Sequence, residues 1–164
     1  MKTETRQIQV DRWSVSSSRS FDEIVSGIDA AIGHPDIKKL LPEAEAGSPA
    51  EMKARIEAAL GPSGFMEFIR FEPNRVVAKD THGAPRIRRY VVGNPLVMKE
   101  MVKHVPDAAA YAPVTILVAE EPASVRISYD TMASLLAPYG NGEASGVARD
   151  LDQEIESLLM KIAS

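Results

Sequence analysis

The stretch "VVGNPLVMKEMVKHVP" (Val91–Pro106) decides how this chain is read. Val91 and Val92 close a strand. Gly93 turns the backbone, Asn94 is of the type that caps a helix, and Pro95 suits the first helical position, where no amide donor is needed. Val97, Met98, Met101, Val102 and Val105 then recur at helical spacing and make one apolar face, and Pro106 stops the run. A strand leading directly into an amphipathic helix implies a sheet with a helix packed on it. His104 borders the apolar stripe in what the spacing makes the last helical turn, where the helix dipole favours a cation.

Upstream, Gln7–Val15 alternates imperfectly and reads as a first strand with a slip near Arg12. In "SFDEIVSGIDAAIGHP", Ser20 and Glu23 form a capping box, Phe21, Ile24, Val25, Ile28, Ala31 and Ile32 share a face, and Gly33 and Pro35 close the helix. "SPAEMKARIEAALGP" repeats that grammar, with Ser48, Pro49 and Glu51 at its start and Gly61 and Pro62 at its end. A helical turn is expected at Ile37–Leu41. Phe65–Phe71 and Arg86–Val92 read as strands, Arg75–Ala78 as another short one, and Asp80–Pro85, with His82 and Gly83, as a turn. Downstream, Val114–Ala119 is apolar at both parities, as in a central strand covered on both sides or a strand at a dimer contact. Val125, Ile127 and Tyr129 alternate with Arg126 and Ser128 across a short hairpin from it. Asp130 is expected to cap a short helix over Thr131–Ala137, and a final helix runs from about Glu143 to Ala163.

The 164 residues suit one domain, and 45% hydrophobic with 26% charged residues is an ordinary globular balance. Without cysteine there is no disulfide, thiolate nucleophile or cysteine-ligated metal. The polar start and the lack of a long apolar run predict a cytoplasmic protein that does not cross a membrane. A net charge of -4 disfavours general nucleic-acid binding.

The order of elements indicates α+β architecture. Three separated motifs carry a resemblance: Gly93-Asn94-Pro95, then Pro113–Val118, then Ser128-Tyr129-Asp130. Together, over roughly Ile87–Leu159, they resemble the DUF302 family. The resemblance implies a TBP-like fold, a curved antiparallel sheet with helices packed on one face, and homodimers. It implies a single domain over residues 1–164, with an added helical segment at about 34–64. Pro138-Tyr139-Gly140 stands where many members have a His-Gly pair, so no role for that histidine carries over. The resemblance implies no assigned activity.

Candidate chemistry is sparse. His34, His82 and His104 have no metal-ligand spacing, so no metal or other cofactor is expected. No phosphate-binding glycine loop or nucleophile elbow occurs. Tyr129 and Asp130 lie at a strand-to-helix junction, where a phenol and helix N–H groups come close, and Tyr139 sits in a turn beside two helices. Alternation puts Arg86, Arg88 and Tyr90 on one face of a strand. They suit an anion, or a solvated face that pairs with acidic neighbours. Tyr129, Asp130, Tyr139, Arg88, Tyr90 and His104 are therefore the candidate ligand-binding residues. The leading expectation is a small-molecule-binding protein with a cavity between sheet and helices. The alternatives are an enzyme using Tyr129, Asp130 and His104, with Arg88, and a structural dimer that binds a partner.

Overall fold

Two capping boxes start the helices where the spacing predicts. Ser20 accepts from the Glu23 amide while Glu23 reaches back to the Ser20 amide, and Ser48 and Glu51 do the same. The computed structural model describes residues 1–73, 76 and 84–164. Its elements are β1 (Arg12–Ser17), α1 (Phe21–Ala31), α2 (Ile37–Glu45), α3 (Pro49–Ala59), β2 (Met66–Phe71), β3 (Ile87–Gly93), α4 (Pro95–Val102), β4 (Val114–Glu121), β5 (Ser124–Asp130), α5 (Met132–Leu136) and α6 (Gly142–Ala163). The expected strand at Arg75–Ala78, apart from Val76, and the turn around His82 and Gly83 lie outside the described residues.

The five strands form one antiparallel sheet in the order β1-β5-β4-β3-β2. The architecture is α+β. Strand β4 is central, but only one of its faces is fully buried, and Thr115, Leu117 and Ala119 on the other are half-buried. Val114, Ile116 and Val118 from it, Val125, Ile127 and Tyr129 from β5, and Tyr90 and Val92 from β3 are all buried. They meet the apolar faces of α1 and α6, whose Ile24, Ile28, Leu151, Ile155 and Leu159 belong to the same core. Thr115, Leu117 and Ala119 take the opposite parity of β4, and with Ile69 and Phe71 they lie on a face that leaves Ile69 46% and Phe71 43% exposed. Among the described residues no helix is long and apolar enough to cross a membrane.

Several local expectations change. Strand β1 starts at Arg12 rather than Gln7, because its partner β5 ends at Asp130 and leaves nothing further to pair with. Helix α2 runs to Glu45, well beyond one turn, and carries Pro42 inside it. Helix α4 ends at Val102 with Lys103 as its C-cap, so His104 lies beyond the helix rather than in its last turn. Asp130 does not cap the next helix. Thr131 is the N-cap, without a side-chain bond, and Asp130 instead receives Arg12 in a bidentate pair at 2.6 and 2.8 Å.

Helices α1 and α3 end just before Gly33 and Gly61, as expected, but not through a left-handed glycine turn. Among the described residues only Gly64 and Gly140 have positive φ. What Gly33 and Gly61 allow is a close crossing. Both amides donate to the Phe65 carbonyl at 2.9 Å, and the Glu67 amide donates to the Gly33 carbonyl at 2.8 Å. A Cβ on Gly33 would fall 2.0 Å from the Ala59 carbonyl oxygen, and one on Gly61 would fall 2.3 Å from the Ile32 carbonyl carbon. This crossing ties the ends of α1 and α3 to the start of β2. It thereby seats the α2–α3 pair, whose own small core joins Ala44, Ile56 and Met66 to Met52, Phe68 and Leu96.

Candidate functional site

Strand β2 contributes Phe68 to three of the concave surfaces of this molecule. Its pairing with β3 shifts between Glu67 and Ile69, so Phe68 is an extra residue without an opposite number. In a regular strand, residues three apart point to opposite faces. The bulge reverses that parity, so Glu67, opposite Val92, and Arg70, opposite Tyr90, both reach the helix-covered face.

A polar cluster follows from that reversal. Arg70 donates to Asp29 of α1 at 2.9 and 3.1 Å and to Glu67 at 2.6 and 3.1 Å. Tyr90, fully buried, donates its hydroxyl to Asp29 at 3.0 Å, and the Arg70 guanidinium lies 5.1 Å from the centre of its ring. Burial, reinforced by Asp29, raises the Tyr90 phenol above its ordinary pKa, so it stays a neutral donor. His34 places Nδ1 3.4 Å from Glu67 and Nε2 2.8 Å from the Asp29 carbonyl. Beside this cluster is an open polar cleft of about 310 Å³, lined by His34, Asp36, Lys38, Glu67 and Phe68.

On the other side of Phe68 is an apolar groove of about 420 Å³ between α2, α3 and α4. Leu41, Ala44, Met52, Ile56, Leu96 and Met98 line it, and Glu45 and Lys99, both exposed, are its charged residues. Local sequence accounts for its walls. The apolar residues of α2 and α3 face each other across the loop that Ser48 terminates, while Asn94 and Pro95 start α4 at the groove's end. The Asn94 side chain caps the Leu96 amide at 2.9 Å and also donates to the Gly64 carbonyl at 3.1 Å, which fixes α4 against the end of the α3 segment.

The six sequence-derived candidates do not gather at one point. Tyr129, 1% exposed, donates its hydroxyl to Asp152 of α6, and burial together with Asp152 raises its pKa. Asp152 also accepts from the Met132 and Ala133 amides at 2.7 and 2.8 Å, so it caps α5 from another helix. Asp130, the next residue on β5, faces the other side of the sheet, where Arg12 lowers its pKa. Tyr139 pairs with the Tyr111 hydroxyl at 3.0 Å under the Arg6 guanidinium, and Tyr111 raises its pKa. Arg88 binds Glu72 at 2.7 Å, and His104 is exposed. Tyr129 and Asp130 line one open pocket of about 360 Å³ with Arg12, Arg89 and Thr115, and Arg88 and Tyr90 are neighbours on β3, but these two pairs do not meet. The basic strand pairs with acidic neighbours, as one of its two readings expects: Arg86 meets Asp22 at the exposed end, while Arg88 and Tyr90, more buried, meet Glu72 and Asp29. Among the described residues no group of three or more His, Asp or Glu side chains could hold a metal ion.

The residues that line the groove, and Phe68 in particular, were not singled out from the sequence. A bulge leaves no fixed residue signature, and apolar residues lining a groove have the same periodicity as those filling a core.

No curated protein matches the chain. A crystal structure of an uncharacterized conserved DUF302 protein from Bacillus stearothermophilus superposes with a TM-score of 0.65 at 13% identity, covering 93% of this chain and 98% of that one. At that identity the likeness speaks for the fold. The profile of the family described as "Domain of unknown function DUF302" matches residues 43–162, and the chain belongs to that family.

Proposed function

We propose that this protein binds a small apolar molecule in the groove between α2, α3 and α4. The observation that supports this reading is the groove itself: about 420 Å³, with apolar walls and, among the described residues, Glu45 and Lys99 as its only charged lining residues. Small-molecule sites have this size and this balance of apolar lining with a few polar groups. Met52 and Met98 add adaptable walls. Catalysis finds less support, because Tyr129, Asp130, Arg88 and His104 do not converge.

Displacement of an apolar fluorescent probe by 1-octanol tests the reading. Leu41→Glu places a charge in the groove, and we expect it to abolish probe binding while circular dichroism is unchanged. His104→Ala, away from the groove, leaves binding intact. Equal probe binding by Leu41→Glu and the parent protein overturns the proposal.

A second reading concerns assembly. The uncovered sheet face presents Ile69 and Phe71 on β2 and Leu117 and Ala119 on β4, with Val91 and Arg89 of β3 between them, which supports pairing of two copies.

A further inference from the structure

Phe68 lines the apolar groove, the polar cleft and a third, small pocket that also touches Gly93, Pro113 and Met101. It is the extra residue of the β2 bulge, so it has no cross-strand neighbour to hold its direction, and bulges commonly re-aim a side chain next to a functional surface. Its ring packs with the small core of the α2–α3 pair, and its Cε2 lies 3.7 Å from where a Cβ on Gly93 would stand. Helix α2 borders the cleft with Ile37 and Lys38 and the groove with Leu41, Ala44 and Glu45. At 1.5 Å per residue, Ile37 and Glu45 are about 12 Å apart along one helix. Cleft and groove are therefore two ends of one track along α2, and Phe68 stands between them.

We propose that Phe68 is the specificity-determining residue of this track and sets the length of the aliphatic chain that the groove accepts. The inference rests on the groove being the binding site. The ligand class follows from the charges. Glu45 and Lys99 at the groove are of opposite sign, so neither an anionic nor a cationic head gains a net attraction there. A straight-chain molecule with a neutral hydroxyl head fits, its head beside Glu45 and Lys99 and its tail against the Phe68 ring. Beyond the ring, Pro35 and Ile37 continue the track between His34, Asp36, Lys38 and Glu67, so the Phe68 ring is what stops the chain.

The test is a chain-length series of 1-alkanols, from hexanol to tetradecanol, measured by calorimetry on the full-length protein. Each buried methylene adds about fourfold in affinity. For the parent protein the rise continues until the tail meets Phe68, then stops. Phe68→Leu and Phe68→Ala move that break to longer chains by at least two methylenes, and Phe68→Trp moves it to shorter ones. The leucine variant keeps the site packed if the alanine variant does not fold. A break at the same chain length in the parent and in folded Phe68→Leu overturns the role of Phe68. If alkanol binding is at the same time abolished by Leu41→Glu, the groove stands as the site and only Phe68's part falls. If no alkanol binds the parent protein, the groove reading falls and this inference with it.

Discussion

Tyr129 of β5 and Asp152 of α6 meet in the interior, the tyrosine hydroxyl donating to a carboxylate that is 7% exposed. The same carboxylate takes the first free amides of α5, those of Met132 and Ala133. One side chain therefore joins the central part of the sheet, a short helix and the terminal helix. Asp152→Ala removes the acceptor from the buried Tyr129 hydroxyl and Met132 amide and the part-buried Ala133 amide, and leaving a buried donor unmatched costs about 1–3 kcal/mol, partly recovered by relaxation. We expect a net loss of about 2–4 kcal/mol. That corresponds to a melting temperature lower by roughly 5–15 °C for a domain of this size. Tyr129→Phe deletes one bond and costs about 0.5–1.5 kcal/mol. Urea unfolding that ranks Tyr129→Phe as the more damaging change contradicts this account.

The crossing at Gly33 and Gly61 makes a different prediction. A methyl group on Gly61 meets main-chain atoms at 2.3 to 2.6 Å, and backbone cannot swing aside as a long side chain can. Gly61→Ala is expected to cost about 1–3 kcal/mol or more. Gly142→Ala meets nothing within 4 Å and occupies the start of α6, so it is the matched control and leaves stability within about 0.5 kcal/mol. Thermal melts of the two variants side by side check the contrast.

The Arg12–Asp130 pair yields a pH prediction with a definite sign. The Arg12 hydrogen bond, helped by its charge, holds the Asp130 carboxyl below its ordinary value of 3.8. A carboxyl whose pKa is lowered by folding stabilises the fold above its unfolded pKa, and that contribution disappears as pH falls through the folded value. Arg12→Ala therefore lowers the urea midpoint at about pH 7, and the gap from the parent protein closes as pH falls through the lowered folded value of Asp130. Arg12 is 67% exposed in its side chain, so salt also narrows the gap. A gap that persists unchanged into strong acid excludes this pair as its source.

The uncovered sheet face is the expected dimer contact. Light scattering at micromolar concentration should give twice the 17.8 kDa of one chain. Ile69→Lys combined with Phe71→Glu, both at exposed positions, should return a folded monomer. A parent protein that stays monomeric across a wide concentration range removes the assembly proposal.

The sequence by itself determined the elements whose causes are local. Ser20 with Glu23, Ser48 with Glu51, and Asn94 with Pro95 act within a few residues of themselves, and each begins a helix where its spacing says it should. The apolar parity of Val114–Ala119 likewise determined a central strand, and the alternation in Arg86–Val91 correctly separated Arg88 and Tyr90 from Arg89. Tertiary structure alone decided the cap of α5, because Asp152 reaches it from 19 and 20 positions away and nothing in Asp130 or Thr131 signals that a distant carboxylate will take their place. It decided where β1 begins, since a strand extends only as far as its partner. It also decided the surfaces on which the proposed function rests. An extra residue at Phe68 reverses the parity of β2, bringing Glu67 to Arg70 and Asp29 and placing one ring between a polar cleft and an apolar groove. Parity along a strand can be read from a sequence only while the pairing stays in register, and the register is set by contact with β3.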